Sequence, residues 1–361
     1  MKVNFFIYVL LLVLVSGCAG CNISGSEEKV PERKDSVTIM TWNVQTLFDG
    51  TDDGTEYDDF RESAGWGREK YRGRLNVIAG AIGGMERKPD IIALQEIESA
   101  QVMADLASAL SVHGYGWTHF AVIPGMALGL GLLSRLPLDG AKSHSVYING
   151  EIAPRPMLEA RINMPDANNA ALALFVCHWK SKLGGDEATE EGRRASARVI
   201  LRRVREIALL EPQLPILIMG DLNENHDEFY RRKGNSICAL LPDDPQCAKL
   251  TGGKSQLDFL VISGDKPPQA RFFGEDALAF YSPWMGELKN GSYFYKNNWE
   301  TIDHFLLSGG FFDNSGWNFD NCKVIDYPPF INSKGSPMAY DPKTGAGMSD
   351  HLPLLLFLSM R

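Results

Sequence analysis

The chain has 361 residues, of which 44% are hydrophobic and 22% are charged. This balance is typical of a folded protein with a sizeable core, and it excludes an intrinsically disordered chain or a collagen-like repeat. The formal net charge of −9 gives no general attraction for nucleic acid or an anionic membrane. A polyanionic ligand would therefore have to be met by a local basic patch or by a metal ion.

Residues 1–17 have the pattern of a secretion signal. Lys2 supplies the positive charge, and the apolar run Phe5–Val15 is shorter than the about 20 residues that a membrane-spanning helix needs. The run ends at Val15–Cys18, which resembles the lipobox of bacterial lipoproteins. This resemblance implies cleavage before Cys18, lipidation of that cysteine and a location in the cell envelope outside the cytoplasm. The alternatives are an ordinary signal peptide or an uncleaved anchor.

A polar tether, residues 18–36, is predicted to connect this segment to one folded domain, residues 37–361. The tether is charged and has no apolar periodicity, and no second linker follows it. None of the cysteines in the domain belongs to a CxxC pair, which argues against a zinc site. Cys238 and Cys247 flank a proline-containing loop, and the sequence leaves open whether they form a disulfide.

Short apolar runs alternate with amphipathic segments along the domain, which predicts an α/β fold. We predict strands at 37–42, 90–94, 130–134, 157–162, 171–177, 216–219, 257–262, 302–307 and 351–358. Helices are predicted at 68–84, 101–109 and 191–210, where apolar residues recur with helical spacing. The third helix carries several arginines, which we interpret as a solvated helix face in preference to a phosphate-binding strip.

Polar residues stand at the ends of several of these predicted strands. They are Asn43, Glu96, His178, Asp221, Asn223 and the pairs Asp303-His304 and Asp350-His351. Each residue alone would be an ordinary turn or capping residue. Because strand ends converge at one edge of a packed sheet, the whole set predicts a shared pocket.

Such side chains are suited to the attack of water on a phosphorus ester. Mg²⁺ prefers oxygen ligands, and Glu96, Asp350 and Asn43 form a suitable set for it, with Mn²⁺ or Ca²⁺ as further candidates. The cation would neutralise phosphate charge and stabilise the leaving oxygen. The sequence has no GxSxG motif, which argues against a covalent serine intermediate.

The same residues lie in motifs that resemble those of the endonuclease/exonuclease/phosphatase superfamily, the deoxyribonuclease I-like proteins. In the order of that superfamily, the motifs are Trp42-Asn43, Leu94–Glu96, Gly131–Arg135, His178–Ser181, Gly220–Glu224, Ile302–His304 and Ser349–Pro353. They span nearly all of residues 37–361. The resemblance implies a four-layered α/β sandwich, in which two mixed β-sheets pack face to face with helices outside.

The resemblance also implies roles for the catalytic residues. His351 would be the general base that activates water, oriented by Asp303. Asp221 and Asn223 would position the water and the phosphate. His178 would donate a hydrogen bond to the phosphate or assist the leaving group.

The resemblance further implies how metal and substrate are held. Glu96 would hold the metal, with Asn43 and Asp350 nearby. Lys180 and Arg135 are predicted to contact the substrate phosphate, and Arg155 is a further candidate for that contact.

Two motifs bear on the choice of substrate. The stretch His178–Lys182, followed by Gly184-Gly185 and the arginine-bearing helix, resembles secreted bacterial nucleases. Asp303-His304 stands where inositol 5-phosphatases usually carry an Asp-Arg pair, and it is more similar to the nuclease branch. We therefore predict a Mg²⁺-dependent nuclease that cuts DNA or RNA, acting as a monomer with no evident protein partner. The alternatives are a sphingomyelinase or phospholipase C-type enzyme, an inositol-phosphate phosphatase of the same fold, and a non-catalytic surface-binding lipoprotein. Aromatic residues between 281 and 299 are interpreted as core in preference to a base-stacking surface.

Overall fold

Two mixed β-sheets form the centre of the protein in a computed structural model that describes residues 36–164, 170–252, 256–274 and 276–361. The predicted signal peptide, the lipidation site Cys18 and all but the last residue of the tether lie outside the described residues. The strands are β1 (Ser36–Leu47), β2 (Ile91–Ile97), β3 (Trp117–Ala121), β4 (Gly129–Ser134), β5 (Leu138–His144), β6 (Tyr147–Ile148), β7 (Glu151–Ile152), β8 (Met157–Met164), β9 (Ala170–His178), β10 (Ile216–Asp221), β11 (Leu240–Pro242), β12 (Leu260–Ser263), β13 (Ala279–Tyr281), β14 (Tyr293–Tyr295), β15 (Asn298–Glu300), β16 (Asp303–Leu307), β17 (Trp317–Val324) and β18 (Leu354–Met360). The helices are α1 (Arg68–Gly83), α2 (Ala100–Ala109), α3 (Glu190–Leu210), α4 (Glu228–Arg231) and α5 (Pro245–Thr251).

The strands assemble into two large sheets and two small hairpins. One sheet has the order β17-β18-β1-β2-β4-β3, and the other has the order β11-β12-β13-β16-β10-β9-β8-β5. Both sheets are mixed: β1 and β2 are parallel, as are β9 and β10, while most other neighbours are antiparallel. The hairpins β6–β7 and β14–β15 stand apart from both sheets.

Successive side chains along each strand point alternately to the two faces of its sheet, and this determines which layer each side chain packs against. In β1, Val37 and Ile39 join the core between the two sheets, whereas Met40 and Trp42 face the cluster that includes α1 and α2. The apolar stripe of α3 packs on the outer face of the second sheet. This alternation is the pattern expected for sheets that are buried on both faces. The predicted four-layered α/β sandwich is confirmed.

The arginines of α3 differ from the sequence interpretation at one position. Arg193 is fully buried and forms ion pairs with Glu190 (2.8 Å) and Glu224 (2.6 Å). On the same helix, Arg194 pairs with Asp258 at 2.6 Å. Arg193 therefore does not belong to a solvated face, because it ties α3 to the chain that follows β10.

Two further expectations are resolved by the described residues. Cys177, Cys238, Cys247 and Cys322 are all buried free thiols, so Cys238 and Cys247 do not form the disulfide that the sequence left open. Within the described ranges, no helix combines the length and the apolar character that crossing a bilayer requires.

A buried carboxylate on β8 makes the stability of the fold depend on pH. Glu159 accepts hydrogen bonds from Arg203 (2.7 and 2.9 Å) and lies 2.7 Å from the ring nitrogen of His144. Burial alone would raise the pKa of Glu159, but these hydrogen bonds outweigh it and lower the pKa from 4.5 to about 2. Because the pKa is lower in the folded state, the charged pair stabilises the protein above pH 4.5 and loses its effect as the pH falls to about 2.

We expect Glu159→Gln to lower the free energy of unfolding by about 3 kcal/mol at pH 7. The difference from wild type should shrink steadily below pH 4.5, which urea unfolding at several pH values would measure. The matched control is Glu206→Gln, which removes the exposed partner of Arg203 and should change stability little. A difference that stays constant down to pH 2 would contradict this account.

Candidate active site

The candidate active site lies where strands of both sheets end at one edge of the sandwich. In the first sheet, β1 and β2 run parallel with Asn43 opposite Gln95, so their carboxyl ends point the same way. In the second sheet, Asp221 at the end of β10 lies opposite His178 of β9 on one side and Asp303 of β16 on the other. This pairing gathers polar residues that are far apart in the sequence.

Glu96 is directed into the site by an irregularity in β2. The register of β2 shifts around this residue against β4, and its φ of 66° lies in the left-handed region. An irregularity of this kind redirects a side chain and is common beside functional sites. The carboxylate is fixed by a hydrogen bond from the backbone N–H of Thr46 to Oε2 at 2.7 Å.

Asn43 links the carboxylates of the two sheets. Its Nδ2 donates to Glu96 Oε1 (3.2 Å) and to Asp221 Oδ2 (3.0 Å). His178 Nε2 lies 3.4 Å from Asp221 Oδ2 and 3.7 Å from Glu96 Oε1. Four of the predicted site residues therefore form one contiguous cluster.

His351 and Asp303 form a hydrogen-bonded pair beside this cluster. The Nδ1 of His351 lies 2.8 Å from Asp303 Oδ2, and both side chains are buried. The opposite ring nitrogen, Nε2, lies 4.0 Å from Asp221 Oδ2 and 4.0 Å from Asp350 Oδ1. One nitrogen is thus held by a carboxylate while the other faces the centre of the site.

The ionisation of these groups reflects burial and crowding of negative charge. Burial alone would lower the pKa of His351, but Asp303, Asp350 and Asp221 outweigh it and raise the pKa to about 10. Burial raises the pKa of Asp221 to about 7, and burial also raises the pKa of Asp350. Burial, with the charges of Arg155 and His351, lowers the pKa of His178 well below 6.5. Buried carboxylates and two histidines are thus crowded together, and each ionisation depends on its neighbours.

Asn223 is positioned by the turn that follows β10. Its backbone N–H donates to Asp221 Oδ1 at 2.9 Å, and its Nδ2 donates to the carbonyl of Trp179 at 3.2 Å. The close pairing of β10 with β9 just before this turn requires Gly220, because a Cβ there would lie 2.0 Å from the carbonyl oxygen of Cys177. Asn223 thus joins the end of β10 to the end of β9.

Lys180 and Arg155 supply positive charge at the rim of the site. The stem of Lys180 packs against α3 at Gly192, where an added Cβ would lie 2.8 Å from it. Burial, with the charges of Arg155 and Arg193, lowers the pKa of Lys180. Arg155 donates a hydrogen bond to the carbonyl of Trp179 and lies close enough to lower the pKa of His178.

The structure places Arg135 away from the site. Arg135 follows β4 and pairs with Asp90 at 3.3 Å, directly before β2 begins. Glu96 is at the other end of β2, about 20 Å away for a strand of this length. The predicted phosphate contact of Arg135 is therefore wrong. Arg135 is the last residue of its motif. Because β4 runs antiparallel to β2, the chain leaves β4 at the edge of the sheet opposite to the one that carries Glu96.

Several residues that support the site carry no sequence signal. Gln45 accepts from the N–H of Asp350 (3.0 Å) and Tyr340 (2.7 Å), and so ties the loop before β18 to the end of β1. The buried guanidinium of Arg74 on α1 donates to the carbonyls of Val44, Gln45 and Thr46. These contacts hold the backbone from which Thr46 reaches Glu96.

Ser292 positions the His351–Asp303 pair. Its buried hydroxyl donates to Asp303 Oδ2 at 2.6 Å, the same oxygen that His351 contacts. A hydrogen bond to a charged group contributes about 1.5–3 kcal/mol, so we expect Ser292→Ala to lower kcat about 10- to 100-fold. KM should change little, because the hydroxyl is buried and faces Asp303.

Steady-state kinetics of Ser292→Ala and Ser292→Thr would test this role. The threonine variant keeps the hydroxyl and should recover most of kcat. Equal losses in kcat for both variants would show that Ser292 matters only for packing.

Acidic groups of the described residues could bind a metal ion at this site. Carboxylate oxygens of Asp221 and Asp303 and a ring nitrogen of His351 lie within 4.8 Å of one another. The carboxylates of Glu96 and Asp350 lie next to this group, since both influence the pKa of neighbouring residues here.

Comparisons with known proteins give the family and the fold of the chain. A family model described as "Endonuclease/Exonuclease/phosphatase family" matches residues 38–238. No curated protein sequence matches the chain. The catalytic domain of human Nocturnin, solved with a bound sulfate anion, has a similar structure, with a TM-score of 0.53 and 15% identity over 91% of this chain and 94% of that one.

Two other solved structures show the same fold. TDP2 of D. rerio, complexed with a single-stranded DNA product, has a TM-score of 0.52 and 13% identity over 91% of this chain and all (100%) of that one. The mannosyl-6-phosphatase of Bacteroides thetaiotaomicron has a TM-score of 0.50 and 15% identity over 90% of this chain and 100% of that one. With the family model covering more than half of the chain, this protein belongs to the endonuclease/exonuclease/phosphatase family.

Proposed function

We propose that this protein is a divalent-cation-dependent phosphodiesterase that cuts nucleic acid, with Mg²⁺ as its cofactor. One observation carries the proposal: His351 Nδ1 is held by Asp303 at 2.8 Å while Nε2 faces the carboxylate cluster. A general base needs this geometry, because the hydrogen bond to Asp303 keeps a proton on Nδ1 and so leaves Nε2 as the nitrogen that can accept one.

The donor set fits a hard cation. Glu96 and Asp350 supply carboxylate oxygens, which Mg²⁺ prefers over nitrogen or sulfur. Burial is the main cause of the raised pKa of Asp350 and Asp221, with nearby carboxylates adding to it, and a cation would favour their charged forms. Asn43 is predicted to lie near the metal, and its amide also orients a carboxylate. Its Oδ1 accepts from the N–H of Gln45 (2.9 Å), which leaves its Nδ2 to donate to Glu96.

The residues of this chain then divide the reaction among them. A bound divalent cation supplies positive charge that offsets both the carboxylates and the phosphate oxygens. With that charge offset, His351 Nε2 accepts the proton of the attacking water, and Asp303 stabilises the imidazolium that forms. Asp221, whose Oδ2 lies 4.0 Å from His351 Nε2, orients the water. As the water oxygen bonds to phosphorus, the bond from phosphorus to the leaving oxygen breaks, and that oxygen takes up a proton from solvent. The neutral His178 donates a hydrogen bond to a phosphate oxygen.

Nucleic acid is the substrate class that the rim favours. Lys180 and Arg155 provide local positive charge on an otherwise acidic protein, which a polyanionic strand requires. The TDP2 structure with a single-stranded DNA product shows that this fold accommodates such a strand in another protein.

A lipid phosphodiester is the second candidate, because of the β6–β7 hairpin. Tyr147 and Ile152 pair across this hairpin and are 53% and 52% exposed. The hairpin lies shortly before Arg155 in the chain. An exposed apolar hairpin of this kind is a feature expected of an enzyme that works at a lipid surface.

The experiment is a substrate panel with the full-length chain. Single-stranded DNA, RNA, supercoiled plasmid, sphingomyelin, mannose 6-phosphate and an inositol phosphate would each be incubated with Mg²⁺ or with EDTA. We expect EDTA-sensitive cleavage of a nucleic acid. Turnover of only the lipid or of a phosphomonoester would overturn the nuclease assignment, and turnover of none would favour a binding protein. The matched control is Arg135→Met, which lies away from the site and should keep full activity.

We further propose that Cys18 is lipidated and that the enzyme is a monomer anchored in the cell envelope. The lipobox-like Val15–Cys18 segment and the polar residues after it support this proposal. Cells fed a radiolabelled fatty acid should label the wild type and the Cys21→Ser variant but not Cys18→Ser. Labelling of the Cys18→Ser chain would contradict the assignment. Light scattering after detergent extraction would test the monomer.

A further inference from the structure

The β14–β15 hairpin carries a row of aromatic rings that begins at the catalytic histidine. The ring of Tyr293 stacks on that of His351, with centroids 4.5 Å apart and an interplanar angle of 29°. The ring of Tyr295 lies 6.1 Å further along, nearly parallel to Tyr293 at 12°. The row therefore leads outward from the place where a phosphate would react.

Backbone contacts fix this hairpin to the catalytic segment. Tyr293 forms a β-bridge with His351, and the N–H of Leu352 donates to the carbonyl of Ser292 at 2.6 Å. The hydroxyl of Ser292 also donates to Asp303. The rings of the row are thus held in place relative to the reacting atoms.

Alternation along β14 separates a site-facing side from a packing side. Tyr293 and Tyr295 share one face, whereas Phe294 between them packs on Trp299 across the hairpin, with centroids 5.1 Å apart. Tyr293 is half-buried. Burial raises its pKa, and the charges of Asp350, Asp221 and Glu96 raise it further, because its hydroxyl lies near these carboxylates.

Tyr295 ends the row at the protein surface. It is 51% exposed, although it lies only two residues from a ring that contacts His351. The Nζ of Lys296 lies over the ring of Tyr295, 5.0 Å from its centroid, and a stacking base would displace it. An exposed aromatic face with a cation beside it is the combination that binds single-stranded nucleic acid, because bases stack on the ring and the cation meets a phosphate. A lipid chain would use neither the phenol hydroxyls nor the ammonium group.

We propose that Tyr293 and Tyr295 form a stacking subsite for a nucleobase adjacent to the scissile phosphate of a single-stranded substrate. This inference rests on the proposed function, since it names the part of the substrate that the same site recognises. The nucleobase takes the place of the Lys296 ammonium on the ring of Tyr295, and Lys296 then contacts the next phosphate of the strand.

The test is binding of nuclease-resistant phosphorothioate oligonucleotides that carry one 2-aminopurine, measured with the full-length chain and Mg²⁺. Stacking should quench the 2-aminopurine fluorescence. A base-to-ring stack contributes about 1–3 kcal/mol, so Tyr295→Ala should raise Kd about tenfold and abolish the quenching. Tyr295→Trp should retain both. An oligonucleotide with an abasic sugar at the same position should bind wild type and Tyr295→Ala equally.

Tyr327→Ala is the matched control, because Tyr327 is also exposed (42%) and packs on Phe330, far along the chain from the hairpin. It should bind both oligonucleotides as wild type does. Equal affinity of Tyr295→Ala and wild type for the base-containing oligonucleotide would overturn the subsite. It would also be overturned if Tyr295→Ala lost as much affinity for the abasic oligonucleotide as for the base-containing one. Failure of the proposed function is distinguished by bis(p-nitrophenyl) phosphate: if wild type does not hydrolyse that diester with Mg²⁺, the hydrolase assignment fails whatever the quenching shows.

Discussion

Replacing Asp303 with asparagine is expected to lower kcat about 10³- to 10⁴-fold while leaving the fold intact. In the wild type, Asp303 Oδ2 accepts from His351 Nδ1 at 2.8 Å, which leaves Nε2 free to accept a proton. An asparagine can present its NH₂ group to Nδ1 and so stabilise the tautomer that carries its proton on Nε2. That tautomer cannot take a proton from water.

Kinetics and thermal unfolding of Asp303→Asn would be measured together. The backbone of Asp303 is held independently, because Trp284 Nε1 donates to its carbonyl at 2.8 Å, so the melting temperature should change little. Asp320→Asn on β17 is the control for an Asp-to-Asn change at the surface and should keep full activity. A kcat for Asp303→Asn within threefold of wild type would show that His351 is not the base.

Replacing Glu96 with glutamine is expected to lower activity at least about 10³-fold at limiting Mg²⁺. Glu96 is the carboxylate that Asn43 and Thr46 hold at fixed distances, and its left-handed backbone is maintained by the surrounding structure. The amide has the same shape but lacks the negative charge that attracts a cation. Excess Mg²⁺ should restore part of the activity, which a metal titration of the rate would detect.

Titration calorimetry of Mg²⁺ binding would separate this effect from a loss of folding. The wild type should bind Mg²⁺ measurably, Glu96→Gln should bind it far more weakly, and the exposed control Glu206→Gln should match wild type. Unchanged affinity in Glu96→Gln would remove this residue from the metal site.

Much of the fold could be predicted because local patterns and layer packing agree. The strand ends at Asn43, Glu96, His178 and Asp221 were visible as polar residues after apolar runs. Parallel pairing then explains why these ends meet, as the register of β9 and β10 shows. Strands with weaker apolar runs, such as β5, were not predicted, because most of its residues face solvent.

The contacts that complete the site could not be predicted, because they join distant parts of the chain. Ser292 and Gln45 are ordinary polar residues in the sequence, and only the fold brings one to Asp303 and the other to Asp350. Arg135 shows the converse: it lies within a recognisable motif, yet strand direction takes it to the opposite edge. The residue types indicate which reaction a site could support, but the direction of each strand determines which residues lie together in that site.

The central claim is that water attack on a phosphodiester requires both a divalent cation and the His351–Asp303 pair. The most direct measurement is the rate of cleavage of a fluorogenic single-stranded DNA as Mg²⁺ is titrated, for wild type and His351→Gln side by side. We expect a saturable rise for wild type that EDTA abolishes, and a rate at least about 10²-fold lower for His351→Gln at every Mg²⁺ concentration. Equal rates for the two proteins, or cleavage that persists in EDTA, would contradict the mechanism.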